Sequence, residues 1–395
     1  LGIFIGNHYL SISQGKKRSY SSGNKINAIL DIIDEQYVDT VSMSKLVEST
    51  IPKIFSELDP HSVYIPAEDA SVVNEELEGS FSGIGVSFNM QTDTILVISV
   101  ISGGPAEKAG LLPFDRIISI NDSIFSGKKK NQGEIMKTLR GAKNSTVKLG
   151  VQRGNSPELL YFDVTRGDVP VNSVDVSYEA AKGIGYIKVS KFARNTYNEF
   201  ITAIAKLKQA GCTSFVIDLR GNTGGYMDAA INMINEFMPE GRLIVYTEGK
   251  SFPRSDVYAN GTGTCKDAPI VVLTDEISAS ASEIFSGAIQ DNDRGTIIGR
   301  RTYGKGLVQT QMSLSDGSEM RLTIARYYTP SGRCIQKKYE MGNTDAYDQD
   351  IYNRYMHGEF DSADSIKMDD SLKYQTVGGP VSYTHLRAHE TELHL

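Results

Sequence analysis

Histidine is scarce in this chain of 395 residues: His8, His61, His357, His385, His389 and His394 are the whole complement. The last three sit in a terminal stretch read below as non-native, and none of the others stands in a motif-rich loop. A histidine-based catalytic pair therefore has few candidates. Cysteine is scarcer still. Cys212, Cys265 and Cys334 are odd in number, far apart and without metal-ligand spacing, so they imply neither a disulfide framework nor a zinc site and leave the redox compartment open. Basic excess is lacking too: the net charge is −7, nothing global favours a phosphate backbone, and nucleic acid is not an expected partner. The run Lys128-Lys129-Lys130 reads as a solvated loop. The chain opens without Met on Leu1-Gly-Ile-Phe-Ile-Gly6, an apolar stretch too short to span a bilayer. It reads as the last turns of a signal anchor or signal peptide, so export is expected. From about Pro380 the string VSYTHLRAHETELHL reads as translated sequencing adapter, without bearing on fold or function.

What the chain does have is apolar mass. Hydrophobic residues make up 40% of it, enough at this length for two or three cores. Apolar positions Ile26, Ile29, Leu30, Ile33 and Tyr37, then a second run from Leu46 to Phe55, predict two amphipathic helices. In the turn that follows, Leu58-Asp-Pro-His-Ser62, His61 reads as a turn or packing residue. From Phe81 to Arg166 short β-branched runs broken by Gly, Asn and Asp, with one helix near Gly133 to Leu139, predict a small, mostly β module. After Pro170 strands and helices alternate: strand 184–189, helix 196–210, strand 214–218, helix 226–237, strand 269–274, helix 280–290, strand 295–299. Helices covering a sheet are the natural solution. A turn at Ser315-Asp-Gly-Ser318 joins two further strands, and beyond about Lys338 an acidic, Tyr-rich segment of weak periodicity reads as a peripheral extension.

Three loops, each at a strand end, carry residues suited to chemistry. Asp218-Leu-Arg-Gly-Asn-Thr-Gly-Gly225 is dense in glycine, which lets backbone N–H groups face a ligand, although a plain tight turn explains it equally well. Asp275-Glu-Ile-Ser-Ala-Ser-Ala-Ser-Glu283 puts serines at a strand-to-helix turn, beside amides that favour developing negative charge; a helix N-cap is the plain alternative. Gly299-Arg-Arg-Thr-Tyr-Gly-Lys-Gly-Leu-Val-Gln309 nearly spells a phosphate-binding loop, but Gly306 replaces the magnesium-binding hydroxyl and a strand follows. A lysine in an apolar setting is instead placed to lose solvation and accept a proton. With so little histidine, a Ser/Lys arrangement is the form of acyl-transfer chemistry that the residues favour. Ser42-x-x-Lys45 also spells a Ser/Lys signature but lacks its companion motifs, and chance accounts for it.

The strings Ser278-Ala-Ser-Ala-Ser-Glu-Ile-Phe-Ser-Gly-Ala288, Tyr303-Gly-Lys-Gly-Leu-Val-Gln309 and Arg326-Tyr-Tyr-Thr-Pro-Ser-Gly-Arg333 agree in order and spacing with one family. The chain resembles the carboxyl-terminal processing peptidases, or tail-specific proteases, from about Lys25 to Gln336. The resemblance implies Ser280 as nucleophile, Lys305 as general base and Gln309 as the residue orienting the lysine. It implies an oxyanion hole from the N–H of Ala281 with that of Gly224, Gly225 being the alternative. It makes the β module a PDZ domain whose carboxylate-binding loop is Gly83-Ile84-Gly85-Val86, with Gly104 to Leu111 and Leu139-Arg-Gly141 also in pattern. One departure is Pro113-Phe-Asp115, where the family usually has Pro-Gly-Asp.

The expected fold class is α/β: a crotonase- and ClpP-like serine peptidase core with an inserted, mostly β PDZ domain and an N-terminal helical cap segment. The expected layout is 1–22 signal or anchor remnant and linker, 23–78 helical segment, 79–169 PDZ domain, 170–337 peptidase core, 338–379 extension and 380–395 non-native tail. The expected function is a serine endopeptidase acting near the C-termini of proteins, with tails of proteins or peptides as partners and no metal or organic cofactor. The competing readings are a catalytically silent PDZ scaffold and a crotonase-like acyl-CoA enzyme. Family members are typically exported or membrane-anchored, which implies the cell envelope or periplasm, with anchoring through the missing N-terminus, signal transduction and homo-oligomerisation as further expectations.

Overall fold

A computed structural model describes residues 22–91, 94–124, 132–362, 365, 373–379 and 381–383. The readings made on Leu1 to Gly6, on Lys128 to Lys130 and on the tail past Tyr383 lie outside the described residues. Helices α1 (Ser22–Gln36) and α2 (Met43–Ser56) form where the apolar period placed them, and Ser42 caps α2, its side chain accepting from the Lys45 N–H. That bond accounts for the Ser42-x-x-Lys45 spacing. Strand β1 (Val63–Ile65) and helix α3 (Ala67–Glu78) lead into the β module.

That module begins with β2 (Ser80–Gly83) and ends with β9 (Gly167–Pro170), and these two pair antiparallel, closing the module at its entry and exit. Between them lie β3 (Val86–Gln91), β4 (Thr94–Val100), α4 (Pro105–Ala109), β5 (Arg116–Ile120), β6 (Ser123–Ile124), α5 (Gln132–Leu139), β7 (Thr146–Gln152) and β8 (Leu160–Thr165). The sheet order is β3-β4-β5-β7-β8, with β6 on β5. Its own core gathers Ile84, Ile95, Val97, Leu111 and Ile117 with Val147 and Leu149 of β7, apart from the larger core that follows.

The larger core is built on the sheet β10-β11-β12-β15-β16: β10 (Val174–Ala181), β11 (Ile184–Val189), β12 (Ser214–Asp218), β15 (Ile270–Thr274) and β16 (Thr296–Gly299). β11, β12, β15 and β16 run parallel, so helices must carry the chain back between them. These are α6 (Thr196–Gln209), α7 (Met227–Asn235) and α8 (Ala281–Asp291). α8 is buried along nearly its whole length, its polar residues Ser282, Glu283, Ser286 and Asp291 included, so these must find hydrogen-bond partners inside the core. Phe237 knits the layers together, with Phe200, Phe215 and Phe285 in T-shaped contact around it at 6.2 to 6.4 Å. A second sheet, absent from the sequence reading except for its last hairpin, holds β1, β13 (Leu243–Glu248), β14 (Ser255–Tyr258), β17 (Leu307–Ser313) and β18 (Glu319–Tyr328).

Helix α9 (Thr344–Met356) follows, and β19 (Lys373–Gln375) pairs with β20 (Val381–Tyr383). Reading residues 338–379 as peripheral needs correction for α9, which buries Tyr347 and Arg354 against the core. Two buried positions seven residues apart lie on one helical face, too sparse a stripe to register as periodicity. No helix among the described residues is long and apolar enough to cross a membrane.

Candidate active site

Ligands of open α/β sheets bind beyond the carboxyl ends of the strands, and all three chemistry-bearing loops emerge there. Because β12 and β15 are neighbours, the turns that follow them meet. The Gly221 N–H donates to both carboxylate oxygens of Asp275 at 2.9 Å, and the Ala279 N–H donates to the Asn222 carbonyl at 3.0 Å. The loop after β16 joins them through the Tyr303 N–H, which donates to the Ser278 carbonyl at 3.0 Å. Asp218, buried at the end of β12, anchors the glycine turn by accepting from the Tyr186 hydroxyl at 2.6 Å and the Arg220 N–H at 2.9 Å. Burial pushes its carboxyl up, but the bonds from Arg220 and Tyr186 and the charge of Lys188 outweigh burial and hold it at about 2.

The three alternating serines have separate roles. Buried Ser278 donates its hydroxyl to the Leu219 carbonyl at 2.8 Å, and buried Ser282 donates to the Asn222 carbonyl at 2.9 Å. Ser280 instead lines an open cavity of about 520 Å³. It sits at φ 55° and ψ −112°, a region that costs a side-chain-bearing residue about 1–3 kcal/mol. Surrounding bonds impose it. The Ser280 N–H donates to Glu283 Oε2 at 2.8 Å, and the Ser280 carbonyl accepts from the Tyr327 hydroxyl at 3.1 Å.

Lys305 lines the same cavity. Desolvation, reinforced by the charge of Arg321, lowers its pKa below the usual lysine value. The two residues that seat it were missed in the sequence, although both stand inside the quoted strings. Glu283, fully buried on α8, accepts from the Lys305 N–H at 2.8 Å as well as from Ser280, and from the Gly304 N–H and Thr302 hydroxyl, each at 2.7 Å. Tyr327 holds its hydroxyl against the carbonyls of both Ser280 and Lys305. Glutamate at the third residue of a helix that begins with serine is a capping signature; nothing local shows that its second oxygen reaches another loop.

Other expected members are arranged differently. Gln309 lines the cavity, but its amide donates to the His61 carbonyl, and no bond joins it to Lys305. Among the described residues no hydrogen bond joins Lys305 Nζ to Ser280 Oγ in this conformation. The Gly224 N–H is committed to Asn222 Oδ1 at 2.8 Å, so the oxyanion role expected of it requires Asn222 to let go. Gly224 has another duty: a Cβ there would lie 2.8 Å from Ser280 Cβ, so only glycine permits this approach. The Gly225 N–H, in the same cavity, and the Ala281 N–H at the first turn of α8 have no protein acceptor among the described residues. His61 is half-buried, its ring bonded to the Tyr347 hydroxyl at 2.9 Å, and burial with the nearby Lys305 charge lowers its pKa to about 4. It does not line the cavity.

In the β module the four expected loop residues divide between roles. Gly83 pairs with Gly167 in the β2–β9 ladder, while Ile84, Gly85 and Val86 line a groove with Phe81, Met136 and Leu139. Gly85 takes φ 78° and its carbonyl accepts from the Ile101 N–H at 3.0 Å.

Residues 183–345 match peptidase family S41, and residues 82–175 match the PDZ domain. The carboxy-terminal processing protease CtpB of Bacillus subtilis (strain 168) is 35% identical over 318 residues, covering 80% of this chain and 66% of CtpB. A probable CtpA-like serine protease of Staphylococcus aureus (strain N315) is 35% identical over 338 residues, covering 85% of this chain and 66% of that protein. The chain thus spans just under two-thirds of the length of both. Among solved structures, the photosystem II D1 C-terminal processing protease aligns over 80% of this chain and 91% of its own, at 28% identity and a TM-score of 0.45. The chain belongs to peptidase family S41, with a PDZ domain ahead of the peptidase domain and the carboxy-terminal processing proteases as its homologues.

Proposed function

We propose that this protein is a serine endopeptidase that cleaves protein substrates near their C-termini, with Ser280 as nucleophile and Lys305 as base. The observation that carries this reading is that Ser280, on a strained turn at a helix start, shares one cavity with a lysine whose pKa is lowered by burial. Neutral Lys305 takes the Ser280 hydroxyl proton as Oγ attacks the scissile carbonyl carbon. The oxyanion is met by the N–H groups of Ala281 and Gly225, with Gly224 joining if Asn222 turns away. The Lys305 ammonium then protonates the departing amine, and water, activated by the same lysine, releases the acyl group. Closure of the Ser280–Lys305 distance is part of this cycle, with Gln309 and the His61 carbonyl holding the strand from which Lys305 approaches.

The PDZ groove beside Ile84, Gly85 and Val86 captures the substrate's tail as an added strand. Coupling between groove and cavity has a physical route. Glu78, the last residue of α3 before the PDZ domain, accepts from Arg194 at 2.8 Å and from the hydroxyl of Tyr226, which lines the cavity, at 3.0 Å. Export to the cell envelope and anchoring there belong to the same proposal on the strength of the apolar first residues. A silent scaffold would need neither the lowered lysine pKa nor the strained serine.

Ser280→Ala and Lys305→Ala are each expected to abolish cleavage of an unfolded protein substrate while leaving circular dichroism and PDZ peptide binding intact. Normal turnover by either purified variant overturns the assignment.

A further inference from the structure

The loop from Arg300 to Gly306 carries Lys305 but belongs to no helix or strand, so its backbone groups need partners from outside. Glu283 meets it from α8. The other side is met by the segment leading into α9 and by α9 itself, which lies almost wholly beyond the S41 match ending at residue 345. Arg354 is buried and donates Nη1 to the Thr302 carbonyl at 3.1 Å and Nη2 to the Arg301 carbonyl. Its Nε donates to Glu359, which also pairs with Arg301 at 2.9 Å. Two turns earlier on α9, the Tyr347 hydroxyl meets His61 Nε2 at 2.9 Å and Gln336 Nε2 at 3.3 Å. Gln336 Oε1 in turn accepts from the Gly306 N–H at 2.9 Å, and the His61 carbonyl holds Gln309. Lys337 adds a backbone bond to the Gly304 carbonyl at 2.9 Å. Attachments thus fall on both sides of Lys305, at residues 301–304 and at 306 and 309.

We propose that α9 is a clamp on the catalytic loop, in which Arg354 and Tyr347 are positioning residues that set where the Lys305 side chain starts from. The proposal rests on the Ser280–Lys305 reading. The charged and titratable groups facing Lys305 are Arg321 and Tyr327 on β18, Asp59 and His61 before β1, and Glu283 on α8, with Asp228 of α7 in the same cavity. None belongs to α9, so the helix acts on the lysine through loop geometry and water exclusion rather than through charge. The forked guanidinium matters for the same reason: its planar donors reach two successive carbonyls and Glu359 at once in a fixed geometry, which the single ammonium nitrogen of a lysine does not provide.

The test uses the full chain, a fluorophosphonate to titrate reactive Ser280, and casein as substrate, with rates expressed per titrated serine so that misfolded protein drops out. Arg354→Ala is expected to lower kcat roughly tenfold or more with KM within about twofold, since small displacements of a catalytic group are costly. Tyr347→Phe, which keeps the ring, is expected to lower kcat several-fold, and Arg354→Lys to recover only part of the Arg354→Ala loss. In each variant the acid limb of the pH–kcat profile moves to higher pH as Lys305 gains water; a merely structural role would lower the titrated fraction and leave that limb in place. If Arg354→Ala does not fold, Tyr347→Phe and Arg354→Lys decide. Unchanged kcat per titrated serine and an unmoved limb in the variants overturn the clamp, whereas a parent protein that neither labels nor cleaves overturns the Ser280–Lys305 reading and the clamp with it.

Discussion

At Lys305 two effects act in the same direction. Desolvation disfavours the ammonium, and the Arg321 guanidinium in the same cavity disfavours it further, so a larger fraction of the side chain is neutral near pH 7 than for a lysine in water. A base must be neutral to work, and activity therefore rises with pH through the folded pKa. Arg321→Gln removes one of the two effects and is expected to shift the acid limb of kcat/KM to higher pH while the alkaline side stays put; an unmoved or lowered limb sinks this account. Ser280 shows a second residue-scale feature, a positive φ in a non-glycine residue, enforced by Glu283 and Tyr327. Serine's type and its place before a helix were legible in the string of alternating serines, as was the choice of the middle one by resemblance. The φ of 55° was not, because beside the local bond to Glu283 it is held by the Tyr327 hydroxyl, 47 residues away on β18.

Turns supply the clearest lesson at the scale of elements. Where the family usually has Pro-Gly-Asp, this chain has Pro113-Phe-Asp115, and Phe114 takes φ 70° with the Asp115 N–H donating to the Leu112 carbonyl at 3.2 Å. Proline second and positive φ third is the pattern of a type II turn, whose third position favours glycine. The conformation costs phenylalanine about 1–2 kcal/mol, and glycine, free of that strain, would offset about 0.5–1 kcal/mol of the gain through its greater unfolded-chain entropy. Since the Phe114 ring is 73% exposed, little packing is lost, and Phe114→Gly is expected to stabilise the protein by about 0.5–1 kcal/mol, read as a raised urea midpoint at unchanged slope. A lowered midpoint would contradict the strain argument. The strand–helix alternation of the core was legible for the opposite reason: its buried strands and apolar helix faces announce themselves locally, and the observed ends of β11 and β12 coincide with the expected ones. β13 and β14 were missed because β18, the strand that joins them to their sheet through β13, lies far along the chain.

For the molecule as a whole, the site depends on three strand ends being held at one edge, and Asp218 does much of this for the glycine turn. Its pKa, about 2 against an ordinary 3.8, is depressed, so its contribution to stability is present above the unfolded value and is lost as pH falls through about 2. The shift corresponds to about 2 kcal/mol at neutral pH. Asp218→Asn is expected to cost roughly that much in urea unfolding at pH 7 and progressively less as the pH falls from the unfolded value toward the folded one; a cost that does not shrink with acid would show that packing, not charge, is responsible. The sequence alone determined the fold class and the PDZ and peptidase domains, and it singled out the proposed nucleophile and base, because each rests on contiguous strings whose residue types and order carry the signal. Only the tertiary structure decided what surrounds them: that Glu283 and Tyr327 join two loops, that Gly224 commits its N–H to Asn222, and that Arg354 reaches back to the loop of Lys305 directly and Tyr347 through Gln336. Such partners lie as far apart in the chain as His61 and Tyr347, separated by 286 residues, and a hydrogen bond between distant residues leaves no periodicity for a sequence to display.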